Sequence, residues 1–480
     1  MNITEYVKER YPVWGWIGQR THDAAGINAV LPLDFIISCD HGRDIPYYFP
    51  KEDVFSVEQQ GSGRKDWSNE DLKDAISGDL GKRVFEYFKN HNTDINLLCY
   101  RSLQQLEPGY NRFYPRIKMY GVKEKLKTYF DNKNMFFDML PELSLPRPNG
   151  MKTKPGKHSF EDLKKDLKIP FVVQFPYGSS GHFTFIIQKK EEYNKVRENY
   201  SDVVVVIREY VEGYSLNINA IILSTNVGTK VLCSSPSVQI TGVPECSNYM
   251  SSFCGNDYSA VREVDSFVIE KVKEYTKKIG DRMSGAGYRG IFGMDFIVNE
   301  DTVYPIEINP RFQNSTSLYT MLNARLGHKE RTLFLLHIAE FLQKRDERMC
   351  RYIEDFSEDD LLSPIEGAQI ILHNKNKLNI ITGEFLPGIY QQNKEKFDLV
   401  EKSAIFNAYN TEEDILVTCG VPEQYTTIHP NASICKVQML KSVLSPDLTS
   451  LSTEAKNIVV EVYEKLGLKD EEEAKRGVII

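Results

Sequence analysis

The sequence predicts a mixed α/β and α+β protein, and three observations point there. At 480 residues the chain is longer than one ordinary hydrophobic core supports, so about three units are expected. Residues 1–120 alternate strand, helix and strand, the pattern of a small parallel sheet. From Gly293 to Ser317 the run GMDFIVNEDTVYPIEINPRFQNSTS gives two alternating apolar segments around Asn-Glu-Asp, the pattern of a β-hairpin. The expected division is an N-terminal α/β unit over 1–120, a central unit over 121–350, and a small C-terminal α+β unit over 351–480. Within the central unit a smaller lobe covers about 166–225.

Composition narrows the function classes. With 41% hydrophobic and 26% charged residues the chain reads as globular, and its net charge of −8 argues against nucleic acid as the main partner. A local basic pocket for a nucleotide stays compatible with that charge. No apolar run approaches the roughly 20 residues of a membrane span, and the opening MNITEYVKERYP lacks a signal-peptide pattern. The eight cysteines are scattered and form no CxxC pair, as expected of reduced, mostly buried thiols in a cytoplasmic protein without a zinc site.

In the N-terminal unit, LPLDFIISC and INLLCY have strand character, and DLKDAISGDLGKRVFEYFKNH between them has helical spacing. Cys39-Asp40-His41-Gly42-Arg43 follows a strand, where open α/β sheets bind ligands; a plain polar loop is the competing reading. Gly61-Ser62-Gly63 reads as a loop, since no strand leads into it. A loop-like stretch from Pro108 to Pro115 marks the boundary. The segment KEKLKTYFDNKNMFFDMLPEL follows as a helix carrying Lys133 and ended by Pro141.

Ile169 to Lys189, IPFVVQFPYGSSGHFTFIIQK, reads as strand, glycine-bounded loop, strand. Two glycines flanking two serines leave backbone N–H groups free to wrap an anion, although a simple hairpin turn has the same residues. It is not a Walker loop, because no GK[ST] is present and a strand follows. VVVVIREYVEGYSLNINAIIL gives a buried strand, a short link and an alternating strand; the link REYVEG can hold a purine between apolar side chains and main-chain polar groups. Thr241 to Ala260 reads as a long loop, and VREVDSFVIEKVKEYTKKIGDRM as a long amphipathic helix.

The hairpin is the centre of the site. Glu307 and Asn309, two apart on a strand, share a face, and Asp295 joins them if the hairpin registers around its polar tip. Three oxygen donors on an apolar sheet are costly to desolvate without a cation between them, and Mg²⁺ takes such ligands. Arg311 follows with a fork suited to phosphate or carboxylate. Two apolar-faced helices come next. After residue 352 the chain reads as strands with a hairpin through Asn374-Lys375-Asn376 and a closing helix, with no catalytic constellation.

Taken in order, these motifs resemble an ATP-grasp enzyme over about residues 120–345, most closely the branch of biotin carboxylase and the carboxylate–amine ligases. The resemblance implies an ATP-grasp fold with an N-terminal pre-ATP-grasp domain, ATP held between two α+β subdomains, and Mg²⁺ (or Mn²⁺) bridging its phosphates. It implies that a carboxylate attacks the γ-phosphate and that a nucleophile captures the acyl phosphate. Carried over by position, Asp295, Glu307 and Asn309 bind metal, and Arg311 is the catalytic residue that steadies the acyl phosphate. Ser179, Ser180 and Gly181 form the phosphate lid, Glu209, Tyr210 and Val211 the adenine link, and Lys133 reaches phosphate.

Two departures stand out. Gln174 occupies the position of a nucleotide-binding lysine, so it offers an amide and no charge. Arg208 stands where an acidic residue is common. The expected activity is ligation of an amino acid or peptide carboxylate to an amine, with small-molecule substrates, no nucleic acid and no membrane; a homodimer is compatible with it. Three other readings compete: loading of an amino acid onto a carrier-protein thiol, a bicarbonate-using carboxylase, and a non-catalytic nucleotide-binding protein, which the Gln174 change favours.

Overall fold

In the computed structural model, the N-terminal unit is a five-stranded sheet of β1 (Val13–Ile17), β2 (Phe35–Ser38), β3 (Val54–Ser56), β4 (Ile95–Cys99) and β5 (Ile117–Tyr120). The order is β3-β2-β1-β4-β5 and every pairing is parallel. The structure describes residues 2–61, 63–102, 116–178, 183–381, 383–393 and 396–470. The strands are mostly apolar because both faces are covered. Trp14, Trp16 and Tyr120 pack toward the helix Leu333–Leu342, while Val13, Ile17 and Phe35 pack under the helices Asn69–Ser77 and Asp79–Lys89. Those two helices replace the single one expected, because Gly78 ends the first.

The second sheet contains β6 (Gly150–Thr153), β7 (Phe171–Gln174), β8 (Thr184–Ile187) and β9 (Val205–Glu209), antiparallel in the order β6-β9-β7-β8. Phe171, Val173, Val205 and Ile207 pack with Phe160, Leu163 and Tyr193 of the covering helices. Side chains alternate along a strand, so Val172, Gln174 and Arg208 face the other way, into the cleft.

The third sheet begins with β10 (Tyr214–Thr225), β11 (Gly228–Cys233), β12 (Ser237–Thr241), β13 (Phe253–Asp257), β14 (Gly290–Asn299) and β15 (Thr302–Asn309). It continues through β16 (Ala368–His373), skips β17 (Asn379–Ile381), takes in β18 (Gly388–Asn393), β19 (Lys396–Glu401) and β20 (Ile415–Thr418), skips β21 (Thr427–Ile428), and includes β22 (Ser433–Met439). Its path is β15-β14-β10-β12-β13-β16-β22-β20-β18-β19, with β11 beside β10. The β13–β16 pairing therefore joins the central and C-terminal stretches in one sheet.

The structure corrects two elements. The hairpin expected through Asn374-Lys375-Asn376 does not form. β16 pairs with β22, while β17 pairs with β21 and β23 (Leu468–Asp470) in a separate small sheet. The buried Asn374 amide donates to the carbonyls of Lys377 and Ile428, at 2.8 and 2.9 Å, where the chain leaves the third sheet after β16. The stretch expected as one loop from Thr241 to Ala260 contains β13 and a short 3-10 turn at Ser259–Glu263.

The Cys39–Arg43 loop docks the N-terminal sheet onto the C-terminal strands. Arg43 N–H donates to Val421 O (2.9 Å), and the next residue, Asp44, accepts from Gly420 N and Val421 N at 2.8 and 3.1 Å. Buried Arg64 donates to Gly420 O, Ile434 O, His41 O and Glu58. All eight cysteines are free thiols, seven of them buried. Among the described residues no helix is long and apolar enough to cross a membrane.

Candidate functional site

The hairpin forms as expected. β14 and β15 are antiparallel with Asp295 opposite Glu307 and Gly293 opposite Asn309, and a bulge follows Asp295. The chain turns at Glu300, whose φ of 49° is left-handed. Opposite residues in an antiparallel pair share a face, so the pairing brings the Asp295 and Glu307 carboxylates together.

Asp295 is held from both sides. Its Oδ2 accepts from Asn309 Nδ2 at 2.9 Å and its Oδ1 from Asn217 Nδ2 at 2.5 Å. Asn309 Oδ1 in turn accepts from Arg311 Nη2 at 2.7 Å. Burial, reinforced by the charge of Glu307, raises the Asp295 carboxyl above the usual carboxylate range, and the two amide donors only partly offset this. Asn309 is buried. Arg311 also donates to Phe312 O at 3.0 Å, and its guanidinium lies 5.7 Å from the Tyr100 ring centroid.

Lys133 arrives from a helix that starts where the sequence concealed a break. The single helix expected to end at Pro141 is two, Glu124–Phe130 and Lys133–Glu142, and Pro141 lies inside the second. Asn132 caps the second helix, accepting from Asn134 N (3.0 Å) and Met135 N (3.1 Å). This places Lys133 in the first turn, only 5% exposed, with Nζ 3.2 Å from Glu307 Oε2 and 3.1 Å from Gly178 O.

The hairpin groups border a cavity of about 270 Å³ between the second and third sheets. Val172, Ile186, Tyr210 and Val211 supply apolar surface to it, and Asp295, Glu307, Asn309 and Arg311 supply charged and polar groups. Gln174 and Arg208 also line it. Arg208 is buried, its Nη1 has no hydrogen-bond partner among the described residues, and burial lowers its pKa to about 10. Glu209 turns away: its carboxylate accepts from Asn149 N at 2.8 Å and its own N–H donates to Asn149 O at 2.8 Å. Ser179, Ser180 and Gly181 lie outside the described residues.

The resemblance is matched by comparison with known proteins. Residues 130–315 match the family described as the ATP-grasp domain. The chain carries an ATP-grasp domain. Solved structures share the fold at low identity. The biotin carboxylase domain of Hydrogenobacter thermophilus 2-oxoglutarate carboxylase superposes with TM-score 0.54 and 13% identity, over 89% of this chain and 86% of that one. Biotin carboxylase from Campylobacter jejuni gives 0.54 and 11%, over 95% and 92%. Carboxyaminoimidazole ribonucleotide synthase from Aspergillus clavatus gives 0.50 and 12%, over 94% and 97%.

The ATP-grasp cavity also has walls that the sequence did not single out. Gln313 lines it, with its Oε1 buried and without a partner among the described residues, and Gly293 is what admits it: a Cβ there would meet Gln313 Cδ at 1.8 Å. The clue was local, since Gln313 lies within the IEINPRFQNSTS stretch. Asn217 and Ser315 carry a second layer, with Ser315 Oγ donating to Asn217 Oδ1 at 2.8 Å. Met250 and Phe253 come from the Thr241–Ala260 stretch, and Leu448 and Thr449 from the C-terminal unit. The separation of Leu448 and Thr449 from every motif hid them.

Proposed function

We propose that the protein is an ATP- and Mg²⁺-dependent ligase that joins a carboxylate, of an amino acid or peptide, to an amine through an acyl phosphate, releasing ADP and phosphate. The observation that carries this reading is the facing, half-buried pair Asp295–Glu307, flanked by Asn309 and Arg311, in the lining of a cavity that also has an apolar wall.

The donor set fits a divalent cation. Two carboxylates face each other across a strand pair, and the Asp295 carboxyl is raised by burial and by Glu307, a strain that a hard cation relieves. Asp295, Glu307 and Asn309 would hold it, and when bound it would neutralise charge on the transferring phosphoryl group. Tyr210, Val211, Val172 and Ile186 would hold the purine, and Lys133 a phosphate. In the reaction a substrate carboxylate oxygen attacks the γ-phosphorus and the bond to the β–γ bridging oxygen breaks, so ADP leaves. The amine nitrogen then attacks the acyl carbon, the C–O bond to phosphate breaks, and the amine proton leaves to solvent. Arg311, fixed by Asn309 and Phe312 O, is positioned to orient and stabilise the acyl phosphate oxygens.

Incubating the protein with Mg-ATP and a pool of carboxylates and amines should give substrate-dependent ADP and a product mass equal to acid plus amine minus water. Glu307→Gln should abolish it. Near-normal turnover by that variant would count against the site. ADP formed only with bicarbonate would reassign the activated acid, and a mass gain only on a carrier protein would reassign the acceptor.

A further inference from the structure

We propose that Arg208 is a nucleotide-phosphate ligand, supplying from β9 the positive charge that Gln174 on β7 lacks. The inference rests on the nucleotide reading above and goes beyond it by assigning a residue at which the resemblance predicts an acid.

The register makes the exchange possible. β7 and β9 are antiparallel neighbours with Val172 opposite Arg208 and Gln174 opposite Val206. Val172 and Gln174 share the cleft face, so Arg208 and Gln174 are diagonal neighbours there, with backbones about 7–8 Å apart. That distance is within reach of one anion for an arginine and a glutamine side chain. Phe171, Val173, Val205 and Ile207 fill the opposite face against the helices, so Arg208 has no route to the outer surface.

The cation inventory of the cavity then singles out Arg208. Two arginines line it, Arg208 and Arg311. Arg311 donates to Asn309 Oδ1 and Phe312 O. Lys133, behind the hairpin end, is engaged by Glu307 and Gly178 O. Arg208 retains a buried Nη1 donor without a partner among the described residues, and leaving such a donor unsatisfied is costly. Glu209, the next residue, is already turned to Asn149 and does not answer it.

The position of Arg208 indicates which part of a ligand it meets. It sits on β9, two residues before Tyr210, and the opposite charges that act on it are Glu307 first and then Glu209. An anion between Arg208 and the hairpin carboxylates, attached to a group that packs on the apolar surface of Tyr210 and Val211, is the phosphate chain of a nucleotide on the sugar side. A planar guanidinium can hold two phosphate oxygens at once, which a glutamine cannot.

Calorimetric titration of MgADP and of adenosine into wild type, Arg208→Gln, Arg208→Lys and the double variant Gln174→Lys/Arg208→Gln tests this. Arg208→Gln should weaken MgADP roughly ten- to a hundredfold and leave adenosine unchanged. Arg208→Lys should lose less, and the double variant should regain most of the loss, because the charge returns to the same face. Thermal unfolding without nucleotide checks each fold, and if Arg208→Gln does not fold, the Lys and double variants carry the comparison. MgADP affinity equal to wild type in Arg208→Gln, or a parallel loss of adenosine, would overturn the assignment while leaving the proposed function standing. A wild type that binds neither ligand would overturn both.

Discussion

The two walls of the cavity treat charge in opposite ways. On the hairpin wall every charged group is engaged: Asp295 by Asn217 and Asn309, Arg311 by Asn309 and Phe312 O, and Glu307 by Lys133. On the four-stranded wall one guanidinium, Arg208, is buried with a donor that has no partner among the described residues. The difference follows from secondary structure. The hairpin places like charges opposite each other, and the amides two residues away and on β10 donate to Asp295 while Lys133 pairs with Glu307, which offsets the repulsion only in part. On the four-stranded sheet the residues opposite Arg208 are Val172 and Gly150, which offer its side chain no acceptor, and the ligand role proposed above would fill that gap. A wall that is internally satisfied is built to hold geometry, and one that is not is built to bind.

Three changes test that contrast, in decreasing order of effect. Glu307→Gln removes one of the paired carboxylates and should lower substrate-dependent ADP release at least about a hundred- to a thousandfold, read by a coupled ADP assay. Behind the hairpin, His337 Nδ1 accepts from Ile291 N at 3.2 Å on β14, and burial lowers the His337 pKa to about 4. The folded state therefore binds this proton less readily than the unfolded chain, whose value is near 6.5. Stability from His337 is full above 6.5 and is lost as pH falls toward about 4, by about 3 kcal/mol in all. Denaturant unfolding of wild type and His337→Gln across that window should show the wild type losing more, and parallel curves would refute it. Buried carboxyls such as Asp44, raised to about 6 chiefly by burial, act with the opposite sign and cancel in the comparison. Gly293→Ala drives a methyl into Gln313 and should cost about 1–3 kcal/mol, read from the denaturation midpoint, with loss of activity as Gln313 shifts.

Much of this wall was legible in the sequence. The alternation of FGMDFIV and VYPIEIN fixed which residues share a face, and the Asn-Glu-Asp tip fixed the turn, so Asp295 opposite Glu307 followed from a period of two. Lys133 was named, but not its place in a first turn, because the break at Asn132 is a capping event inside an unbroken helical pattern. Asn374 defeated the C-terminal hairpin in the same way: its amide satisfies carbonyls distant in sequence, which local turn chemistry does not encode. Arg208 was visible as a departure, yet its burial and free donor depend on the register of β7 with β9 and on the helices behind them. Glu209 shows the complement, since alternation points it toward Asn149 and away from the cavity.

The central claim is that the Asp295–Glu307 pair gathers a divalent cation over the phosphates of a nucleotide. Calorimetric titration of ADP into the wild-type protein, with Mg²⁺ and then with Mg²⁺ removed by chelator, tests it most directly. The account predicts that ADP binds much more tightly with Mg²⁺ and that Glu307→Gln erases the difference. Equal ADP affinity in the two conditions would contradict it.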